Sequence, residues 1–245
     1  MTDILPAYRQ ARKRLLLLDY DGTLAPFVRD PSNAKPSDRV LSVLQRLTED
    51  KRNTVAVISG REKKVLDDWL GHLRVKLIAE HGAFEKYGKE WQNVIRVNPS
   101  WKEVIRPIMH SFLPKIPGSL LEEKELSLVF HYRGGKKPIQ AEEFAKSLEH
   151  KISPLLTKLG LNMTDDNLTI EVRQLGTDKG KIAITSLGHG VYSFVLCAGD
   201  AQTDEDMFLA LEDKAFCIKV GPGKTAASYR VRDSSEFIEL LEALA

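Results

Sequence analysis

The first eighty residues alternate between short apolar runs and longer stretches with helical periodicity. The apolar runs at 15–18, 54–58 and 75–79 have the length and composition of strands that are buried on both faces of a parallel sheet. Residues 37–50 and 62–71, which separate these runs, have the pattern of helices. This strand–helix–strand alternation predicts a parallel sheet built from right-handed crossovers.

The pattern changes near residue 100, where the order helix–strand–strand occurs twice and predicts a small α+β layer with an antiparallel sheet. Its predicted elements are a helix over 101–113 that Pro114 ends, strands over 119–124 and 126–133, a helix over 139–159 interrupted at Pro154, and strands over 161–163 and 168–173. After Gly176 the first pattern returns, with helices over 178–187, 204–212 and 234–244 and strands over 193–198 and 215–219.

We therefore predict an α/β fold with two domains. The length of 245 residues exceeds the commonest size of a single domain, which favours a core with a smaller addition. A Rossmann-like parallel-sheet core is expected over residues 1–99 and 176–245. The inserted α+β domain is expected over residues 100–175.

Composition and charge argue against several classes of protein. Hydrophobic residues make up 42% of the chain and charged residues 29%, which are the proportions of a globular protein. The net charge of +2, from 36 basic and 34 acidic residues, gives no electrostatic footprint for nucleic acid. The short basic cluster of Arg9, Arg12, Lys13 and Arg14 is better explained as the exposed face of an N-terminal helix than as a binding patch.

The cysteines and the apolar runs suggest a compartment. Cys197 and Cys217 lie in apolar strands, so we predict buried thiols and not a disulfide or a metal site. No apolar stretch approaches the length of a membrane helix, and the four leucines at 15–18 are too short for the core of a signal peptide. We expect a cytoplasmic monomer without a membrane or nucleic-acid partner.

Two carboxylates and a glycine follow the first apolar run directly. Asp19 is expected at the carboxyl end of a buried strand, where open α/β sheets bind ligands, and Asp21 follows two residues later. Two carboxylates at this position repel each other and lose their hydration, which is unfavourable unless a cation or a shared proton is present. Mg²⁺ suits the pair because it binds carboxylates and phosphate oxygens. A turn formed by Asp and Gly22 is the ordinary alternative.

Four further polar residues are predicted at strand ends or helix starts. Ser59 could simply cap a helix, Lys179 could be a surface lysine, and Asp200 could form a turn. Asp204 is favourable beside a helix N-terminus without any other role. Their joint placement at one sheet edge fits phosphoryl transfer, in which an aspartate attacks phosphorus while a lysine, a cation and a hydroxyl bind the phosphoryl oxygens.

The order of these groups along the chain resembles the four motifs of the haloacid-dehalogenase-like phosphatases. The resemblance implies an aspartyl-phosphate intermediate and a bound Mg²⁺. The implied roles are nucleophile for Asp19, general acid/base for Asp21, phosphate ligands for Ser59 and Lys179, and a metal site of Asp19, the Asp21 main-chain carbonyl and Asp200, with Asp204 behind it or contacting through water.

Finer detail resembles one branch, the trehalose-6-phosphate phosphatases. The matching stretches are Leu18–Pro26, Ser59-Gly60-Arg61, Glu80-His81-Gly82-Ala83, Thr203–Phe208, the insert residues Glu122, Lys124, Ser127, Leu128 and His131-Tyr132-Arg133, and Glu171-Val172-Arg173. The resemblance implies hydrolysis of trehalose 6-phosphate, the last step of trehalose biosynthesis, and a functional link to the synthase that makes this substrate. The implied substrate-binding residues are Arg61, Glu80, His81, Gly82, Glu122, Lys124, Arg133 and Glu171.

Spacing in the insert agrees with a substrate-specificity domain. Glu122 and Lys124 are two residues apart on a strand and share a face, as do Glu171 and Arg173. Without the resemblance, a solvated sheet face with cross-strand ion pairs would be the ordinary explanation. With it, Glu122, Lys124, Arg133 and Glu171 become candidates for holding the distal glucose.

One position departs from the family pattern. Ala201 stands in Gly199-Asp200-Ala201, where the family usually carries a second aspartate. This change could weaken Mg²⁺ binding. It also leaves open a related sugar-phosphate phosphatase, acting on sucrose 6-phosphate, mannosyl-3-phosphoglycerate or glucosylglycerol phosphate. A sugar-phosphate-binding module that has lost catalysis is the third alternative.

Overall fold

The computed structural model divides the chain into two compact units. It describes residues 3–28, 33–132, 138–166, 168–176 and 178–245, without the side chains of 138–140 and 166. One unit contains the described residues up to 94 together with those from 178 onwards. The other unit contains the described residues between 95 and 176.

The first unit is built on one twisted sheet. Its strands are β1 (Arg14–Asp19), β2 (Asn53–Ile58), β3 (Lys76–Ala79), β4 (Phe84–Lys86), β5 (Trp91–Asn93), and, after the second unit, β10 (Phe194–Gly199), β11 (Phe216–Val220) and β12 (Tyr229–Val231). Their order across the sheet is β12-β11-β10-β1-β2-β3-β4-β5. Pairing is parallel from β12 to β3 and antiparallel for β3–β4–β5. All six residues of the central strand β1 are buried, which explains its uninterrupted apolar run.

Helices cover this sheet. They are α1 (Ile4–Gln10), α2 (Asp38–Glu49), α3 (Lys63–Leu70), α6 (Lys179–Gly188), α7 (Gln202–Leu211) and α8 (Ser234–Leu244). Leu15 and Leu17 of β1 pack in one apolar cluster with Ile182 of α6 and Phe208 of α7. The same cluster contains the buried Cys197 and Cys217 thiols, which are free as predicted.

The second unit is an antiparallel sheet packed on two helices. Its elements are α4 (Lys102–His110), β6 (Leu120–Glu123), β7 (Ser127–His131), α5 (Pro138–Leu159), β8 (Leu161–Asp166) and β9 (Thr169–Gln174). The sheet order is β6-β7-β9-β8. Leu128, Phe130, Ile170 and Val172 point to one face and form a buried cluster with α4 and α5. The opposite face of the sheet carries the polar positions of the same strands, because side chains alternate along a strand.

Three sequence expectations about elements were wrong. Helix α5 is continuous through Pro154, since one proline removes only its own N–H and the turns on either side keep their bonds. Helix α4 ends at His110 and contains Pro107, while Pro114 lies in a separate 3₁₀ turn. Strands β4, β5 and β12 were not predicted, because three residues are too few to establish a period of two.

The N-terminal basic cluster is also different from the prediction. Helix α1 ends at Gln10, and Arg14 belongs to β1, where it is 1% exposed. The Arg14 guanidinium donates to Asp50 Oδ2 at 2.9 Å and stacks on the ring of Tyr8. Arg14 is therefore a buried structural residue and not part of a solvated face. Within the described part of the chain, every helix is too short or too polar to traverse a bilayer.

Candidate active site

The carboxyl ends of neighbouring strands bring the core candidates to one edge of the first sheet. Asp19 is the last residue of β1, Ser59 follows β2, Glu80 follows β3 and Asp200 follows β10. Strands β10, β1, β2 and β3 are parallel and adjacent, so their ends lie side by side. The first residue of α6, Lys179, reaches the same edge through its side chain.

A buried lysine joins two of the carboxylates. Lys179 Nζ lies 2.6 Å from Asp19 Oδ1 and 2.6 Å from Asp204 Oδ1. All three side chains are almost fully buried, so Lys179 is not the surface residue of the ordinary explanation. Burial would lower the pKa of Lys179, but the charges of Asp19 and Asp204 outweigh burial and raise it. The ammonium group therefore stays charged and offsets part of the acidic cluster.

Three carboxylates could hold a divalent cation. One oxygen from each of Asp19, Asp200 and Asp204 can be chosen so that all lie within 4.8 Å of one another. Burial, and then the charge of Asp204, raise the pKa of Asp19 well above its usual range and that of Asp200 to about 6. Asp19 Oδ2 is buried and accepts no hydrogen bond from the described residues. Hard oxygen donors, unbalanced negative charge and an unused buried acceptor fit a cation such as Mg²⁺.

Asp204 shapes the turn that carries Asp200. Its Oδ2 accepts from the main-chain N–H of Asp200 at 3.0 Å and of Ala201 at 2.9 Å. The two oxygens of Asp204 are thus bound to Lys179 and to the start of α7. Asp204 therefore caps the helix and orients its neighbours. Its contact with the metal through water stays a prediction.

Asp21 is held by an arginine. Arg61 donates to both Asp21 oxygens, with Nε–Oδ2 at 2.9 Å and Nη2–Oδ1 at 2.6 Å. The Arg61 guanidinium also stacks on the ring of Trp69, 4.7 Å from its centroid, and Trp69 packs against Tyr20. This chain of contacts fixes the direction of the Asp21 carboxylate. The expected metal contact of Asp21 is through its main-chain carbonyl and stays a prediction.

The segment after β3 adopts an unusual backbone. Glu80, His81 and Gly82 all have positive φ, of 46°, 56° and 106°. The amide of His81 donates to the Ser59 carbonyl at 3.0 Å, and the amide of Glu80 donates to the Arg61 carbonyl at 3.0 Å. Two non-glycine residues in the left-handed region are costly and occur mainly at functional sites. Glu80 and His81 are therefore held beside Arg61 and Ser59, and Gly82 follows them directly.

Ser59 does not cap α3, which begins after Glu62. Its side chain is buried, and its Oγ accepts from the amide of Arg61 at 3.1 Å. Since a serine hydroxyl can still donate its proton while accepting this bond, Ser59 is able to bind a phosphoryl oxygen.

The polar face of the second sheet carries the predicted sugar-binding residues. Glu122 Oε2 lies 2.8 Å from His131 Nε2, and Lys124 Nζ lies 3.8 Å from Glu171 Oε1. Glu122 and Glu171 both align with Val129 of β7, so the two carboxylates share this face. Arg133 lies outside the described residues, so its role in substrate binding stays a prediction.

Arg173 is a candidate that the sequence did not single out for binding. It is 6% exposed, and its Nε and Nη1 have no hydrogen-bond partner in the described part of the chain. It aligns with Ser127 of β7, whose buried Oγ is likewise unpartnered among these residues. Unused buried donors are costly, so they suggest a ligand. The i, i+2 spacing from Glu171 was the available signal.

Gly22 provides a direct test of the acidic site. It has a φ of 84°, and an added Cβ would overlap the carboxylate of Asp200. Gly22→Ala should therefore displace Asp200 and reduce cation binding, measured by calorimetric titration with Mg²⁺. Gly88 has a φ of 89° with nothing within 4 Å of its Cβ position, so Gly88→Ala isolates the backbone strain of about 1–2 kcal/mol. Equal cation affinity in the two variants would contradict the close approach to Asp200.

The strand order and the polar residues at this sheet edge identify the fold as that of the haloacid-dehalogenase-like hydrolases, in agreement with the sequence prediction. A solved haloacid dehalogenase-like hydrolase from Bacteroides thetaiotaomicron has the same fold, with a TM-score of 0.68 and 17% identity, covering 95% of this chain and 100% of that one. Within this class the chain belongs to the trehalose-phosphatase family, whose profile matches residues 17–239.

Individual relatives agree with this assignment. A bifunctional trehalose-6-phosphate synthase/phosphatase of Thermoproteus tenax is 42% identical over 238 residues, covering 97% of this chain and 32% of the relative. The solved C-terminal domain of Candida albicans trehalose-6-phosphate phosphatase has a TM-score of 0.93 at 32% identity, covering 99% of this chain and 95% of that one. The chain spans about a third of the length of the curated relatives it matches.

Proposed function

We propose that this chain is a Mg²⁺-dependent phosphatase that hydrolyses trehalose 6-phosphate to trehalose and phosphate through an aspartyl-phosphate. The observation that carries the proposal is the buried cluster in which Lys179 joins Asp19 to Asp204, beside Asp200. Phosphoryl transfer needs a positioned nucleophile and positive charge around the phosphoryl oxygens, and this cluster supplies both. Family membership supports the phosphatase activity and the choice of sugar phosphate.

The first chemical step uses the two aspartates of the first motif. A carboxylate oxygen of Asp19 attacks phosphorus, the bond from phosphorus to the sugar oxygen breaks, and Asp21 gives its proton to that oxygen. In the second step Asp21 takes a proton from water, the water oxygen attacks phosphorus, and the phosphorus–Asp19 bond breaks. This sequence regenerates the Asp19 carboxylate and the protonated Asp21 and releases inorganic phosphate.

Surrounding residues hold these groups and the phosphoryl oxygens. Lys179 and the Ser59 hydroxyl bind phosphoryl oxygens, and Arg61 orients Asp21 until substrate enters. Mg²⁺, held by Asp19, Asp200 and the Asp21 carbonyl, would reduce the negative charge on the phosphoryl group and so favour attack by an anion. Glu80 and His81 are bonded to the main chain of Arg61 and Ser59, and together with Gly82 they shape the edge that the substrate meets.

Sugar recognition is assigned to the second unit, predicted as residues 100–175. Its polar face presents carboxylates and cations at Glu122, Lys124 and Glu171, which can bond to several sugar hydroxyls at once. Arg173 adds unused buried donors, and Arg133 stays in the proposal on the resemblance alone. Such a face makes hydrolysis depend on the sugar as well as on the phosphate.

A substrate panel tests the proposal. We expect Mg²⁺-dependent phosphate release from trehalose 6-phosphate that exceeds release from sucrose 6-phosphate, mannosyl-3-phosphoglycerate and glucose 6-phosphate. A preference for another member would retain the core assignments and reject those on the second sheet. Tight binding of trehalose 6-phosphate without turnover would support a regulatory binding module instead and direct attention to Ala201.

Substitutions at two neighbouring glutamates can distinguish an effect on sugar recognition from an effect on stability. Glu122 lies on the polar face, whereas Glu123 points to the other side and pairs with Arg106. Glu122→Gln should raise KM for trehalose 6-phosphate about tenfold or more, because hydrogen bonds to charged groups contribute about 1.5–3 kcal/mol. Glu123→Gln, the matched control, should leave KM unchanged. A KM equal to that of the wild-type protein in both variants would exclude Glu122 from recognition.

Partner and location assignments complete the proposal. The Thermoproteus tenax relative is named as both synthase and phosphatase, which supports a functional link between this chain and a trehalose-6-phosphate synthase. A cytoplasmic monomer remains the working assignment. Co-purification of the tagged protein with a synthase would test the link, analytical ultracentrifugation of the purified protein would test the monomeric state, and fractionation of cells would test the location.

A further inference from the structure

A second buried lysine lies at the acidic edge and has no role in the mechanism above. Lys219 is on β11, aligned with Gly199 of β10, and is 4% exposed. Its Nζ donates to the main-chain carbonyl of Asp200. A lysine is rarely buried to this extent without a paired partner. The burial of Lys219 beside the main chain of Asp200 therefore needs an explanation.

The turn at Asp200 is held from two sides. Asp204 accepts the main-chain amides of Asp200 and Ala201, and Lys219 donates to the carbonyl that lies between those amides. These bonds fix the peptide groups on both sides of the Asp200 Cα. This backbone fixes the point from which the Asp200 side chain projects, and Thr23 Oγ1 donates to its Oδ1 at 3.5 Å, whereas Ala201 has no polar side chain that could contribute.

Glu205 compensates the charge of Lys219. Glu205 Oε1 lies 3.9 Å from Lys219 Nζ, and its Oε2 accepts from the Ala226 amide at 2.8 Å and from Thr225 Oγ1 at 3.2 Å. The pair is locally neutral, so Lys219 can orient Asp200 with little repulsion of a nearby cation.

We propose that Lys219 is a positioning residue, which orients the carboxylate of Asp200 for a divalent cation by holding its main-chain carbonyl, with Glu205 keeping the pair neutral. The inference rests on the proposed function, because it takes Asp200 as a cation ligand. Groups that orient metal ligands commonly change metal affinity when they are removed. A lysine that only stabilised the fold would not have this effect.

The test replaces the pair without changing net charge. Lys219→Met/Glu205→Gln removes the bond to the Asp200 carbonyl and retains an acceptor for Ala226. Calorimetric titration with Mg²⁺, at matched pH, should give a dissociation constant at least about tenfold weaker than that of the wild-type protein. Phosphate release by the double variant should recover as Mg²⁺ is raised, while KM for trehalose 6-phosphate at saturating Mg²⁺ stays unchanged.

The control is a lysine–aspartate pair in the same unit. Lys86 of β4 is 8% exposed and pairs with Asp67 of α3, so Lys86→Met/Asp67→Asn removes a comparable ion pair. This control should keep wild-type Mg²⁺ affinity. If circular dichroism shows that the Lys219 double variant is unfolded, Lys219→Gln/Glu205→Gln, which keeps the charge balance and a shorter donor, takes its place and should show the same direction of change.

The outcomes are distinguishable. Equal Mg²⁺ affinity in the folded Lys219 variant and the wild-type protein would overturn the positioning role alone. An equal loss of affinity in the Lys86 control would also overturn it, because the loss would then reflect general stability. Failure of the wild-type protein to bind Mg²⁺ would overturn the proposed metal site and the inference with it.

Discussion

Asp19→Asn is expected to abolish phosphate release while the protein still folds. The asparagine amide is not a nucleophile, and we infer that Asp19 is the group that attacks phosphorus. Hydrolysis of phosphate monoesters is among the slowest uncatalysed reactions, so little background rate remains. We expect turnover of trehalose 6-phosphate to fall by at least about 10⁴-fold, as happens when a nucleophile is removed elsewhere.

Folding of this variant should be preserved for an electrostatic reason. Asparagine has the same shape and retains an oxygen that can accept from Lys179 Nζ. It also removes one negative charge from a cluster in which burial and Asp204 raise the pKa of Asp19. The midpoint of thermal unfolding in the absence of Mg²⁺ should therefore equal or exceed that of the wild-type protein.

Phosphate release and circular dichroism, measured on the same preparations, check both parts of this prediction. Asp68→Asn is a suitable control, because Asp68 is an exposed residue of α3. More than a trace of turnover in folded Asp19→Asn would refute Asp19 as the nucleophile. Loss of folding would assign Asp19 a structural role that the isosteric change should not disturb.

Lys179→Met should cause the largest loss of stability among single changes at the site. The substitution leaves Asp19 and Asp204 buried with an oxygen each that has lost a donor at 2.6 Å. Removing one partner of a buried ion pair typically costs about 3–5 kcal/mol of unfolding free energy. Phosphate release should also be lost, because a positive charge beside the phosphoryl oxygens is removed.

The stability deficit should depend on pH. Without Lys179 the pKa of Asp19 in the folded state rises further above its unfolded value, since the Lys179 charge that lowers it is gone. A raised folded-state pKa contributes stability at low pH that is lost as pH increases through that pKa. The difference from the wild-type protein should therefore be smaller at pH 5 than at pH 7.5, measured by urea unfolding with EDTA present.

Lys181→Met provides the matched control, two residues away on α6. The Lys181 side chain is 70% exposed, and its change should alter the unfolding free energy by no more than about 0.5 kcal/mol. If Lys179→Met were as mild as this control at both pH values, the buried ion pairs would not be the organising contacts of the cluster.

The local hydrophobic pattern predicted an element correctly where burial was the one requirement that acted on it. Leu15–Leu18 must be buried on both sides of the sheet, and the structure places all six residues of β1 in the interior. Helix α8 was predicted with its observed bounds, because its buried residues between Phe237 and Leu244 recur at helical spacing. The predicted interruption at Pro154 was wrong, because a proline weakens a helix only locally, whereas packing on the second sheet stabilises α5 along its whole length.

By itself, the sequence determined the alternation of strands and helices and the carboxylates at the end of β1, since each is a property of neighbouring residues. It also determined the family resemblance, which rests on the order of short motifs along the chain. Only the tertiary structure decided that Lys179 bridges Asp19, 160 positions away, and Asp204. It likewise decided that Arg61 holds Asp21 and that Lys219 lies behind Asp200. Hydrophobic periodicity reports which side of an element faces the core, whereas these contacts depend on strand order, which periodicity does not contain.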